Sequence, residues 1–228
     1  MLISFYLISQ SGNPTSTTPL SLQFDLVDAL FVLIFSSFIE VAFLFAPFYF
    51  AYVTTRRPLL ERRHPLLDAL GLRRFPLFSS LGLIVLLFLV FLLINGVYQS
   101  IIIFFHLNLQ TNDQVILQQG RRAPLATYAT LLVSVLVAPI CEEIFFRGFV
   151  FMGLLRAMPV WAAVLVSALL FAVAHVDVGS FAVLFFIGIA LAFVRWRTRS
   201  LWPSVLLHLL NNATGTALIL IALLGTHS

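Results

Sequence analysis

Residues 77–105 read LFSSLGLIVLLFLVFLLINGVYQSIIIFF, without one charged side chain. A helix of ~20 apolar residues crosses the ~30 Å hydrocarbon core of a bilayer, so this stretch is long enough to span one. The rest of the 228-residue chain has the same character: 61% is hydrophobic, 10% is charged and the mean hydropathy is +1.06. Soluble domains run at roughly 45–50% apolar and ~25% charged residues, so this chain has too little polar surface to cover a water-soluble core. A soluble fold is excluded, and the chain reads as a multi-pass membrane protein.

Outward from that stretch, apolar runs lie at residues 26–52, 125–155, 160–175, 179–194 and 201–224, each bounded by Arg, Pro, Asp or polar clusters. The expected fold is all-α, a polytopic membrane bundle of about six transmembrane helices in a single domain over residues 24–228. Residues 1–23 carry no charge and lack the basic flank of a secretory signal, so they are expected to form a short flexible arm. The single cysteine, Cys141, excludes an intrachain disulfide and a cysteine-cluster metal site. Every basic residue is arginine, and Arg56, Arg57, Arg62, Arg63, Arg73 and Arg74 crowd one loop. Alternating spans put Arg156, Arg195, Arg197 and Arg199 on the same side as that loop, leaving Arg121 and Arg122 opposite. The positive-inside rule then makes the crowded side cytoplasmic and places both termini on the non-cytoplasmic face. The net charge of +4 is therefore a topology signal, and no nucleic-acid partner is expected.

Ionisable residues inside apolar spans cost ~2.5–3.5 kcal/mol each near the centre, so each is a candidate for function. Glu143 and Arg147 are spaced i, i+4 and can neutralise each other, while Glu142 is rotated by ~100° from their shared face and stays free to act on a water or substrate. A pair that merely staples two helices is the competing reading for Glu143 and Arg147. Phe171 and His175 repeat the i, i+4 spacing, which stacks a phenyl ring on the imidazole. His208 and Asn212 repeat it again, and two converging donors there suit an oxyanion developing on a carbonyl, against a plainer role as interhelical hydrogen bonds. The midpoint between Glu142 and His175 falls on the turn signal Met158-Pro159, so an antiparallel hairpin sets the two level. His208 is nearer its own turn by ~10 Å at 1.5 Å per residue, so the hairpin is expected to protrude, with the site sunk in the cytoplasmic half of the bilayer. Glu40, midway along the first span, has no local partner.

The set Glu142-Glu143-x-x-x-Arg147, Phe171-x-x-x-His175 and His208-x-x-x-Asn212, with the run from Ser200 into His208, resembles the CAAX-protease and bacteriocin-processing (CPBP, or Abi) family of intramembrane proteases. The resemblance covers residues 125–224, the expected protease-like core. It implies an intramembrane endopeptidase in which Glu142 and His175 activate a water and His208 and Asn212 stabilise the tetrahedral oxyanion, with Glu143, Arg147 and Phe171 in support. The implied substrate is a peptide or a membrane-proximal tail of a membrane protein. Members are discussed both as metal-dependent and as metal-free glutamate proteases. Zinc would find three ligands in Glu142, His175 and His208 with water as a fourth. The metal-free reading, with no cofactor, is favoured because Asn212 beside His208 suits an oxyanion hole better than a zinc shell.

Two other classes compete. A non-catalytic peptide-binding or bacteriocin-immunity membrane protein would keep the pocket without the chemistry, but has no need for an acid, two histidines and an asparagine at one depth. A proton-coupled transporter would use Glu40, Glu142 and Glu143 as a relay, but the chain lacks the matched interrupted spans that mark such folds. The expected location is a prokaryotic cell membrane.

Overall fold

The computed structural model describes residues 21–55 and 65–225, and every regular element among them is helical. The stretch read as an arm overlaps α1 (Leu22–Ala42) at its start; residues 1–20 and Arg56, Arg57, Arg62 and Arg63 lie outside the described residues. α2 (Phe45–Thr55) and the short α3 (Pro65–Leu70) precede the long apolar α4 (Leu77–Phe104). α5 (Asn112–Arg122) opens on a reciprocal cap, in which the Thr111 hydroxyl accepts from the Gln114 N–H and the Gln114 side chain accepts from the Thr111 N–H.

Residues 124–157 form one interrupted rod. α6 (Pro124–Leu136) begins with a proline where the missing N–H costs nothing, and α7 (Ala138–Glu143) restarts the helix around Pro139, which cannot donate back into α6. A π-helical turn (Ile144–Val150) follows, then α8 (Phe151–Ala157). Beyond Met158 and Pro159 come α9 (Val160–Ala174), α10 (Phe181–Thr198) and α11 (Trp202–Gly225).

Five of the described helical stretches are long and apolar enough to cross a membrane: residues 22–54, 77–104, 124–157, 181–198 and 202–225. The sixth expected span is α9, whose 15 residues reach ~22 Å at 1.5 Å per residue, short of a full ~30 Å crossing. It therefore ends, at His175, at a level the longer helices pass. The chain is a multi-pass helical membrane protein. Outward-facing Phe24, Phe45, Phe78, Leu93 and Ile103 are all exposed, as side chains that meet lipid rather than water must be.

The bundle is built around the π turn. Phe146 packs with Phe91 of α4, Phe171 of α9, Leu191 of α10 and Leu207 of α11, and Ile144 packs with Leu70, Leu201 and Val205. α9 lies along α10 and α1 along α6. Gly188 permits the closest of these approaches, because a Cβ there would come within 3.0 Å of the Ala168 Cα on α9.

Polar staples join each end. At one end, the Leu201 N–H donates to the Gly71 carbonyl at 2.8 Å and the Ser200 hydroxyl to the Arg73 carbonyl at 2.7 Å. The turns before α4 and α11 are thus adjacent, as alternation of the spans requires. Arg195, expected on the side of the arginine-rich loop, lies in the last turn of α10, buried against Gly71 of that loop. At the other end Asp25 of α1 caps α6 across the bundle, accepting from the N–H groups of Leu125 at 2.9 Å and Ala126 at 3.0 Å. Those amides are orphans of the first helical turn, and the α6 N-cap residue, Ala123, has no side chain to satisfy them. Asp25→Ala leaves both unpaired in a buried position and is expected to destabilise the purified protein by about 1–3 kcal/mol in thermal unfolding, with Asp25→Asn in between.

Candidate active site

The centre of the site is a fully buried ion pair. Arg147 Nη1 lies 2.9 Å from Glu143 Oε1, and both side chains have 0% exposure. A charge buried this deeply persists only when it is paired and further hydrogen-bonded. Arg147 Nη2–H donates to the Gly188 carbonyl at 3.2 Å, and its guanidinium lies 4.3 Å from the centre of the Phe171 ring. Glu143 takes two further donors from α11, the Ser204 hydroxyl on Oε2 and the His208 Nδ1–H on Oε1 at 3.0 Å. The π turn that follows Glu143 brings Gly148 against the Leu70 carbonyl, so α3 closes over the pair.

Both histidines are fixed in one tautomer by what their Nδ1 atoms touch. A carbonyl can only accept, so His175 carries its proton on Nδ1 to donate to the Phe171 carbonyl at 2.8 Å. His208 does the same toward the Glu143 carboxylate, held ionised by Arg147. The neutral rings therefore each turn an Nε2 lone pair inward. Between them stands Glu142: its Oε2 is 3.7 Å from His175 Nε2 and 3.9 Å from His208 Nε2, and it has no hydrogen-bond partner. Three acceptors converging at those distances can share a proton or hold a water. Access is partial, with 14% of the Glu142 and 21% of the His175 side chain exposed.

Of the residues expected from the sequence, Glu142, Glu143, Arg147, Phe171, His175 and His208 are brought together. The Phe171 ring touches three of them, lying 4.5 Å from the His175 ring, 5.6 Å from that of His208 and under Arg147. The amide of Asn212 is directed elsewhere: Nδ2 donates to the Ser134 carbonyl at 2.8 Å and Oδ1 accepts from Asn211 at 3.1 Å. Glu40 is buried, with Oε2 unpartnered. Ser204 was not singled out, although it stands i, i+4 from His208, the spacing that marks each of the other pairs. Gly188 carries no comparable signal, because its role is a backbone carbonyl supplied by another helix.

Among the described residues, no group of three His, Cys, Asp or Glu side chains is arranged to hold a metal ion. The Glu142–His distances of 3.7 and 3.9 Å are wider than the ~3.3 Å between neighbouring ligand atoms of a tetrahedral zinc with ~2.0 Å bonds.

Residues 124–214 match the family model for type II CAAX prenyl endopeptidases, Rce1-like. The resemblance carried by the three motifs is borne out over this segment, which holds every residue named above except Glu40 and Leu70. The chain is also 33% identical over 101 residues to the "Putative membrane peptidase YdiL" of Bacillus subtilis (strain 168), a match covering 44% of this chain and 40% of that protein. The chain thus matches less than half the length of this curated relative. No solved structure matches the chain.

Removing one member of a buried ion pair strands the other. Glu143→Ala is expected to cost about 3–5 kcal/mol, read by thermal unfolding in detergent. Glu142→Gln should stay within ~0.5 kcal/mol of the parent in the same measurement, because Glu142 Oε2 has no partner to lose.

Proposed function

We propose that the protein is an intramembrane endopeptidase that hydrolyses a peptide bond with a water activated by Glu142 and His175, without a metal. The observation that carries this reading is the unpartnered Glu142 Oε2 between two inward-facing imidazole lone pairs, 3.7 and 3.9 Å away. A base needs an open acceptor within reach of the proton it removes, and an adjacent neutral imidazole gives that proton a second resting place.

In the proposed reaction Glu142 takes a proton from the water as its oxygen attacks the scissile carbonyl carbon. The carbonyl π electrons move onto the oxygen, giving a tetrahedral oxyanion. His208 is suited to stabilise it once the proton taken by Glu142 has moved to its Nε2, 3.9 Å away, with Glu143 holding the Nδ1–H. Asn212, whose amide bonds the Ser134 carbonyl and Asn211, takes no part in this proposed oxyanion site. The proton then passes, directly or through His175, to the leaving nitrogen as the C–N bond breaks. The carboxylic acid formed gives its remaining proton to the amine, so the products are a carboxylate and an ammonium, and the water is consumed. Phe171 keeps the imidazole faces dry, and Glu143 with Arg147 holds His208 in register.

The proposed substrate is a peptide or membrane-proximal tail presented from the cytoplasmic leaflet, the side assigned by the arginine distribution. The proposed setting is a prokaryotic cell membrane with both termini on its outer side.

The test is cleavage of an intramolecularly quenched peptide library by purified protein in detergent, with a strong zinc chelator present and absent. Glu142→Ala and His175→Ala should each lower kcat by at least about 100-fold while leaving unfolding temperatures unchanged. Cleavage surviving in both variants overturns the assignment, and cleavage lost to chelator alone transfers the chemistry to a metal. Full rescue of a biological phenotype by Glu142→Gln supports the binding reading instead.

A further inference from the structure

His175 stands at an unusual place for a group that must hold its position. It is the C-cap residue of α9, where helices fray, and its hydrogen bond and ring stacking are to the Phe171 carbonyl and ring one turn back. The next residue, Val176, has φ +50°. That left-handed conformation is the ordinary way to end a helix, but glycine or asparagine normally adopts it. A β-branched side chain crowds its own backbone there, so Val176 does not choose this conformation unaided.

The backbone bonds within the turn are modest, with the His175 N–H to the Ala172 carbonyl at 3.3 Å and the Val176 N–H to the Val173 carbonyl at 3.1 Å. The stronger restraints come from elsewhere in the fold. Asp177 is 7% exposed, and its two carboxylate oxygens accept from the N–H groups of Asn112, opening α5, at 3.1 Å and of Ser180, opening α10, at 3.0 Å. The Tyr98 hydroxyl on α4 donates to the Gly179 carbonyl at 2.6 Å. Gly179 also lies against the Gln110 carbonyl so closely that a Cβ would collide with it. Two separate parts of the chain, residues 110–112 and α4, grip residues 177–180.

We propose that residues 176–180 form a clamp that sets the position of His175, with Asp177 as the positioning residue and the left-handed backbone of Val176 as the element it holds. This rests on the reading of His175 as part of the reacting site. If Asp177 lets go, Val176 relaxes to a right-handed or extended conformation. The backbone of His175 then turns with it, and Nε2 leaves its place beside Glu142.

The test is a double-mutant cycle. Asp177→Ala is expected to lower kcat roughly 10–100-fold with KM unchanged, the range that a misplacement of about 1 Å produces. Val176→Gly alone should keep kcat within about twofold, since glycine takes the left-handed conformation freely. Val176→Gly together with Asp177→Ala should regain most of the lost kcat, because glycine holds the turn without the clamp. A clamp that only stabilises the fold predicts no such rescue. A second readout is independent of cleavage: in protein labelled with 15N-histidine, the His175 Nδ1–H signal, assigned by its loss in His175→Ala, should exchange slowly in the parent and rapidly in Asp177→Ala. If Asp177→Ala does not fold, Tyr98→Phe removes one hydroxyl from the same clamp and should shift exchange in the same direction. An unchanged His175 signal in the folded variant, or no rescue by Val176→Gly, overturns the proposal. If the parent cleaves no peptide, the peptidase reading alone falls and the histidine signal still decides the clamp.

Discussion

The buried ion pair of Glu143 and Arg147 is the constraint around which the other elements are arranged. Each charge alone would cost several kcal/mol to remove from water, so the two enter the bundle as a pair with further polar partners around them. Those partners come from three helices: the Gly188 carbonyl of α10, the Ser204 hydroxyl and His208 imidazole of α11, and the Phe171 ring of α9. Satisfying one ion pair therefore docks α9, α10 and α11 on the rod of residues 124–157. The same bonds orient the chemistry, because the proton that His208 gives to Glu143 is what leaves its Nε2 lone pair facing Glu142.

A division of labour follows between adjacent acids. Glu143 is saturated with donors and stays a fixed anion. Glu142, one residue earlier, points into a partly open space with an oxygen that nothing in the protein satisfies. An unsatisfied buried acceptor destabilises a fold, and such a cost is expected where an incoming group completes the bonding. The polar restraints at the end of the bundle near His175 work toward the same result, since Asp25 spends both carboxylate oxygens on backbone amides of α6, and Asp177 spends one on the Asn112 amide and one on the Ser180 amide of its own turn.

Much of this was legible in the order of residues. The apolar runs, the i, i+4 pairs and the isolation of Glu142 from its neighbour's ion pair follow from helical period and from the cost of charge in hydrocarbon, and the structure realises each. Less legible were the contributions that carry no local pattern: the carbonyl of Gly188, the trans-bundle cap by Asp25, and the burial of Arg195 against Gly71. Asn212 shares a helical face with His208, yet its amide bonds the Ser134 carbonyl of α6, a partner many residues earlier in the chain.

The sequence by itself determined that the chain spans a membrane as a helical bundle and which few ionisable groups lie within it. Hydrophobic length and helical spacing are local properties, and they act before any helix meets another. Tertiary structure alone decided which nitrogen of each histidine carries the proton, that Glu142 Oε2 stands between two lone pairs, and that Val176 takes a left-handed turn. Those depend on acceptors and donors brought from distant segments, and a hydrogen bond between helices leaves no period in the sequence that encodes it.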